Sequence, residues 1–322
     1  MAVTFGKLMS RRRFVRAIGQ YLLVLVMVGL GLLSLGTHPA LNICDDECSI
    51  ITFTRPPHSE SRMFIEHIID NVIEPQRDSA PWPLTQEEIT QSIRQDTNAY
   101  TVNQFLMGYI DDIVNGTFLE VGAGNGEFLS FSSALELMQN WRGLLVEPRQ
   151  QAYQHCRKRR RAATANACVT GTDYHGKQLV WTPKVDTTLP LQLQQSTLSK
   201  AAIIDYVDPA DRDDGDVTLV QCYTLESLVV AYLESINATD QPIDLLIVDT
   251  NAGELHIMEK LLIPRYRYVL LPIRDKYEYQ FALSIAGQLE LNMTDDGMLQ
   301  DGYALFQHKS VGRHIEFVAE FV

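Results

Sequence analysis

The chain has 322 residues, enough for one large domain with an anchor and a stem, and its 46% apolar content is ordinary for a folded protein. The formal charge of −13 is unevenly placed: Lys7, Arg11, Arg12, Arg13 and Arg16 stand in a start that has no acid, and setting these five aside leaves −18 for the rest. A body this acidic excludes nucleic-acid binding by general charge attraction.

Residues 1–16 read as a basic tail. Residues 17–36 are almost wholly apolar, with Gln20 as the strongly polar interruption. About 20 helical residues rise about 30 Å, enough to cross a bilayer core. The basic flank keeps the amino terminus cytosolic and puts the rest of the chain in the lumen, a type II signal anchor. A cleaved signal peptide ending near Thr37-His38-Pro39-Ala40 is the rival, since the apolar core from Tyr21 is short. Both readings place the chain in the secretory pathway, and the anchor makes a membrane its partner. Residues 37–85 read as a lumenal stem broken by Pro56-Pro57 and Pro81-Trp82-Pro83, with one helix expected over 63–73.

The domain is expected over 86–322. Residues 117–121 form an apolar run containing Glu120, and Gly122-Ala123-Gly124-Asn125-Gly126 follows. The run predicts a buried parallel strand, and the three alternate glycines a backbone that turns sharply and approaches a ligand. A helix is expected over 127–138. The spacing is not the dinucleotide fingerprint, and an acid before the first glycine suits a cationic ligand such as S-adenosylmethionine better than a pyrophosphate. A tight turn with no ligand is the alternative.

A second strand ends at Glu147, about 25 residues on, where an acid can hold ribose hydroxyls. Residues 163–169 read as a third strand, after the basic run Arg157-Lys158-Arg159-Arg160-Arg161, itself taken as a solvated helix end. Residues 183–217 read as a surface insertion. Residues 243–249 form a fourth strand closed by Asp249, which either faces a ligand or caps the helix expected over 254–262. A fifth strand over 267–271, a helix over 276–291 and a closing antiparallel pair at 304–307 and 314–322 complete the pattern, with Asp301-Gly302 as the turn before the pair. The alternation predicts a doubly wound, Rossmann-like α/β domain.

Two strings carry a family resemblance. Phe118-Leu119-Glu120-Val121-Gly122-Ala123-Gly124-Asn125-Gly126-Glu127-Phe128-Leu129-Ser130, and Asn140-Trp141-Arg142-Gly143-Leu144-Leu145-Val146-Glu147-Pro148 with the basic run and Cys168 after it, resemble the FkbM-type methyltransferases. Within them the chain is most similar to the animal, Star-like branch. The resemblance spans roughly residues 90 to 310. It implies an S-adenosylmethionine-dependent O-methyltransferase fold. For that branch it implies transport of growth-factor precursors, ligands of the EGF receptor, through the endoplasmic reticulum and Golgi. One departure stands out. Where the family carries Asp-x-Glu-Gly-x-Glu, this chain has Asp249-Thr250-Asn251-Ala252-Gly253-Glu254, so Asn251 replaces an acid and leaves catalysis in doubt.

If the domain is an enzyme, Glu120, Gly122, Gly124 and Gly126 shape the methionine pocket and Glu147 takes the ribose. Asp249 faces the ligand's amino group or the acceptor, and Glu254 and His256 are candidate bases on different faces of one helix. Asn115, Asn237 and Asn292 open glycosylation sequons between predicted elements. Of five cysteines, Cys44 with Cys48, and Cys168 with Cys222, are the candidate disulfide pairs, leaving Cys156. Nothing in this pattern calls for a metal.

Overall fold

The computed structural model describes residues 61–88, 97–189, 194, 197, 200–262, 265–298 and 302–310. The expected tail, the apolar segment 17–36, the stem up to residue 60, Cys44, Cys48 and the strand expected over 314–322 lie outside the described residues. No helix among the described residues is long and apolar enough to cross a membrane.

The chain enters through helix α1 (Arg62–Asn71), which buries Phe64, Ile65 and Ile68. Strand β1 (Ile73–Glu74) then pairs with the main sheet. Residues 62–84, expected in the stem, are therefore part of the folded body, and Ile73, Ala80 and Leu84 are buried too. Helix α2 (Thr97–Ile110) sends Val102, Leu106 and Ile110 into the core at helical spacing. Strand β2 (Thr117–Val121) is buried along its whole length, as a central parallel strand must be.

Helix α3 (Ser132–Met138) starts later than the expected 127–138. Leu129 has a positive φ of 55°, and the hydroxyls of Ser130 and Ser132 turn inward to bond buried groups. Strand β3 (Arg142–Val146) and helix α4 (Gln150–Arg159) follow, then strand β4 (Ala163–Ala165). The expected third strand, 163–169, breaks at Asn166, and its second half is strand β5 (Cys168–Thr170) in another sheet.

That second sheet is the main departure from the sequence pattern. Strands β6 (Gly176–Pro183), β7 (Ala202–Ile203) and β8 (Gly215–Thr224) build it in the order β5-β8-β6-β7. The expected surface insertion thus contributes β7 and the start of β8.

Helix α5 (Leu225–Ser235) is capped by the Thr224 hydroxyl, which accepts from the Ser227 N–H. Strand β9 (Ile243–Val248), the short helix α6 (Glu254–Met258), strand β10 (Tyr266–Pro272) and helix α7 (Lys276–Gln288) continue the alternation. Glu290 has a φ of 54° and ends the helical path. Strand β11 (Leu291–Met298) and strand β12 (Tyr303–His308) then close the sheet. The expected helix over 276–291 therefore stops short, and the closing pair lies earlier in the chain. Gly302 falls between its two strands rather than before them.

The main sheet runs β1-β4-β3-β2-β9-β10-β12-β11. From β4 to β10 all neighbours are parallel, and β1, β12 and β11 pair antiparallel. Strand order reverses between β2 and β9. Val121 is in register with both Val146 and Val248, so three carboxyl ends meet at one switch point, where open α/β sheets place ligands.

Candidate functional site

The glycine loop leaves β2 at this switch point. Gly122 has a φ of 83°, and a Cβ there would lie 1.8 Å from the Asp249 carbonyl oxygen. Gly126, φ 74°, is flanked by Arg160 and Cys156 at 2.9 Å from the same imagined carbon. Both glycines are thus required by the protein's own packing. Most of the loop's donors are also satisfied internally. The N–H groups of Gly122 and Ala123 donate to the Val146 carbonyl, that of Gly126 to the Ala123 carbonyl, and those of Glu127 and Phe128 to the Asn125 side chain.

Gly124 is held differently. Its N–H donates to the Glu147 carboxylate at 2.8 Å, and the Arg149 N–H donates to the other oxygen at 2.7 Å. Glu147 is 1% exposed, and burial pushes its pKa up to about 7 against the pull of these two donors.

Glu120 points elsewhere. Its carboxylate accepts from the Ser130 hydroxyl at 2.9 Å and from the Ser132 hydroxyl. The buried Arg160 guanidinium donates to the same two hydroxyls, at 2.7 and 2.9 Å, and to the Gly126 carbonyl. It also pairs with Glu136 at 3.4 Å. Burial raises the Glu120 pKa, opposed first by Arg160 and then by the two serines. Glu120 and Glu147 share no bond, and Cys156, buried and free, feels both charges.

The turn after β9 carries the third group. Asp249 accepts from the Tyr303 hydroxyl at 2.6 Å, and its pKa is raised by burial and by the charge of Glu254. Glu254 is buried and makes a bidentate pair with Arg274 at 2.8 and 2.9 Å, while also accepting the Thr250 N–H. Asn251 adopts a φ of 60°, a conformation that asparagine tolerates well. Glu254 faces inward and His256 outward, where its ring stacks on Tyr206 with centroids 4.9 Å apart.

Between the two sheets, over the carboxyl ends of β2, β3 and β9, lies an apolar cleft that opens to solvent. Gly122, Pro148, Thr250 and Ala252 line it from the main sheet. Cys168, Val180, Ala202, Ile203 and Tyr206 line it from the second sheet and the turn after β7. Cys168 and Cys222 face each other across β5 and β8 as a disulfide, Cα–Cα 4.4 Å. Asn115, Asn237 and Asn292 are all exposed. No group of His, Cys, Asp and Glu among the described residues is arranged to hold a metal.

Tyr206, Arg274 and Tyr303 were not singled out in the sequence. Arg160, expected in a solvated basic run, is instead buried just past the end of α4, at the spacing that continues its buried Tyr153 and Cys156. The rest of the basic run is also used inside the protein. Arg157 pairs with Glu74, Arg159 with Glu88 and Glu127, and Arg161 bonds Glu136.

No family model matches the chain, and a comparison with curated proteins gives no match. Among solved structures, the chain is similar to "Human methyltransferase 10 domain containing protein" at 13% identity and a TM-score of 0.30, with 70% of this chain and 84% of that one covered. It is similar to the METTL16 MTase domain at 12% identity and a TM-score of 0.34, with 67% of each chain covered. The fold is Rossmann-like: five parallel strands with a switch point, closed by an antiparallel hairpin whose last strand lies inside its partner. The sequence resemblance implies S-adenosylmethionine as the cofactor. The apolar lining suits its nucleoside half, although Glu147 is not among the lining residues. Its methionine half finds Glu120 and six of the seven N–H groups from Gly122 to Phe128 already partnered, and no methyl-transfer step is derived from them.

Proposed function

We propose that the body is a methyltransferase-type domain that takes an adenosyl ligand of the S-adenosylmethionine class in the switch-point cleft. One observation carries this reading: the cleft opens where β2, β3 and β9 end together, with the Glu147 carboxylate holding the loop that floors it. Equilibrium dialysis of the full chain in detergent against labelled 5′-methylthioadenosine tests this. Binding should appear at or below millimolar ligand and vanish in Ala252→Phe, which fills the cleft. No binding at millimolar ligand would end the reading.

We further propose that the chain is a type II membrane protein of the secretory pathway, an FkbM-type, Star-like protein that moves growth-factor precursors in EGF receptor signalling. The apolar segment 17–36 with its basic flank supports the anchor. The Cys168–Cys222 pair supports an oxidising lumen. Exposed Asn237, in a turn after α5 with a φ of 55°, offers a glycan room. Protease protection in sealed microsomes, with an endoglycosidase shift lost in Asn237→Gln, is the expected result. A domain digested without detergent would place it on the cytosolic side instead.

Methyl transfer to a hydroxyl or carboxyl acceptor is a second reading, favoured by the position of Asp249 at the switch point. Labelled methyl appearing on lumenal protein or glycan only when the chain is present would support it.

A further inference from the structure

We infer that the cleft selects an uncharged nucleoside over zwitterionic S-adenosylmethionine. The inference rests on the adenosyl reading above and narrows the ligand it admits. An amino-acid tail brings an ammonium and a carboxylate, and each needs a partner once it leaves water. The carboxylate would look to the loop N–H groups. Of the seven from Gly122 to Phe128, six have acceptors within the protein, and only that of Asn125 is left over.

Three arginines on the elements around the cleft are engaged in the same way. Arg149 donates to the carbonyls of Thr197 and Pro183, Arg274 is bidentate on Glu254, and Arg160 is buried among Ser130, Ser132 and Glu136. His256 lies behind Tyr206, stacked on its ring and 3.8 Å from Glu259. The ammonium would look to Glu120 or Asp249. Glu120 is 2% exposed and bonded to two serines, and Asp249 accepts from Tyr303.

The walls themselves favour a neutral, flat group. Pro148, Ala202, Ile203 and Ala252 are apolar, Thr250 donates its hydroxyl to the Ala252 carbonyl, and Tyr206 adds an aromatic face. A purine gains from such surfaces, while a zwitterion loses its hydration without replacement.

Calorimetry on the full chain in detergent, with 5′-methylthioadenosine, S-adenosylmethionine and methionine as probes, decides the matter. The thioether nucleoside should bind at least tenfold more tightly than S-adenosylmethionine, and methionine should give no heat. Ile203→Trp, which narrows the cleft, should weaken the nucleoside at least tenfold. Equal or tighter binding of S-adenosylmethionine overturns the selectivity and leaves the adenosyl reading standing. Heat from none of the probes overturns both. Nucleoside binding that survives Ile203→Trp, in a variant with native circular dichroism, places the ligand elsewhere and overturns the inference.

Discussion

The Glu147 carboxylate accepts the Gly124 N–H at 2.8 Å, so the acid that closes β3 braces the middle glycine of the loop that leaves β2. The bond joins two strand ends across the switch point. It also gives a buried acid a structural duty independent of any ligand.

That duty is pH-dependent. The Glu147 pKa is raised from 4.5 to about 7 in the folded chain, so the folded state holds this proton more tightly than the unfolded state does. Its contribution to stability is then full below about pH 4.5 and is lost as the pH rises to about 7, by about 3 kcal/mol at 1.36 kcal/mol per unit. Glu147→Gln does not titrate. Urea unfolding at pH 4.5, 6 and 7.5 should show the stability of the native chain falling relative to this variant, then levelling. A native chain that gains stability relative to the variant as the pH rises would refute the assignment.

Arg160 is the second buried charge with a defined role, compensating Glu120 through Ser130 and Ser132 and pairing with Glu136. Arg160→Met removes the compensation and strands the carboxylates, which should cost about 3–5 kcal/mol. Glu120→Gln in that background should restore part of the loss, because it removes the stranded charge. A double-mutant cycle by urea unfolding measures the coupling, and strictly additive effects would show that the two groups do not communicate.

The parallel strands were legible because a buried run of Val, Leu and Ile carries its own signal, and Glu120, Glu147 and Asp249 fall near or just past the ends of such runs. What the residues alone did not disclose is where each acid points. Glu120 alternates to one face of β2 and finds serines only because α3 starts late, a tertiary outcome. The second sheet was missed for a related reason: Leu179, Val217 and Leu219 are exposed in β6 and β8, so those strands lack the buried run that marks the others. Tyr303 and Arg274 reach the site from distant segments, and no local spacing announces such contacts.

Two glycines should respond oppositely to alanine. At Gly122 the added carbon would meet the Asp249 carbonyl at 1.8 Å and the backbone φ is 83°, so Gly122→Ala should lose at least about 3 kcal/mol or fail to accumulate. At Gly287, inside α7, nothing lies within 4 Å of the added carbon, and Gly287→Ala should gain about 1 kcal/mol. Thermal melts of the two variants beside the native chain provide the check. Tolerance at Gly122 would mean that β2 and β9 do not approach as closely as the contact requires.

The Cys168–Cys222 bond spans 54 residues of chain and ties β5 to β8, so it constrains the unfolded state strongly. Loop-closure entropy for that length is about 4 kcal/mol, with measured values for such bonds of about 2–4 kcal/mol. Cys168 also lines the cleft, so its strand forms one wall of the proposed ligand site. Replacing both cysteines by serine should lower stability by about 2–4 kcal/mol and weaken 5′-methylthioadenosine in the same preparation. The native chain should show the same losses in reductant, whereas the serine variant should be insensitive to it. If the stability falls but nucleoside affinity does not, β5 is held in place by its pairing with β8 alone, and the disulfide acts on the unfolded chain without shaping the cleft.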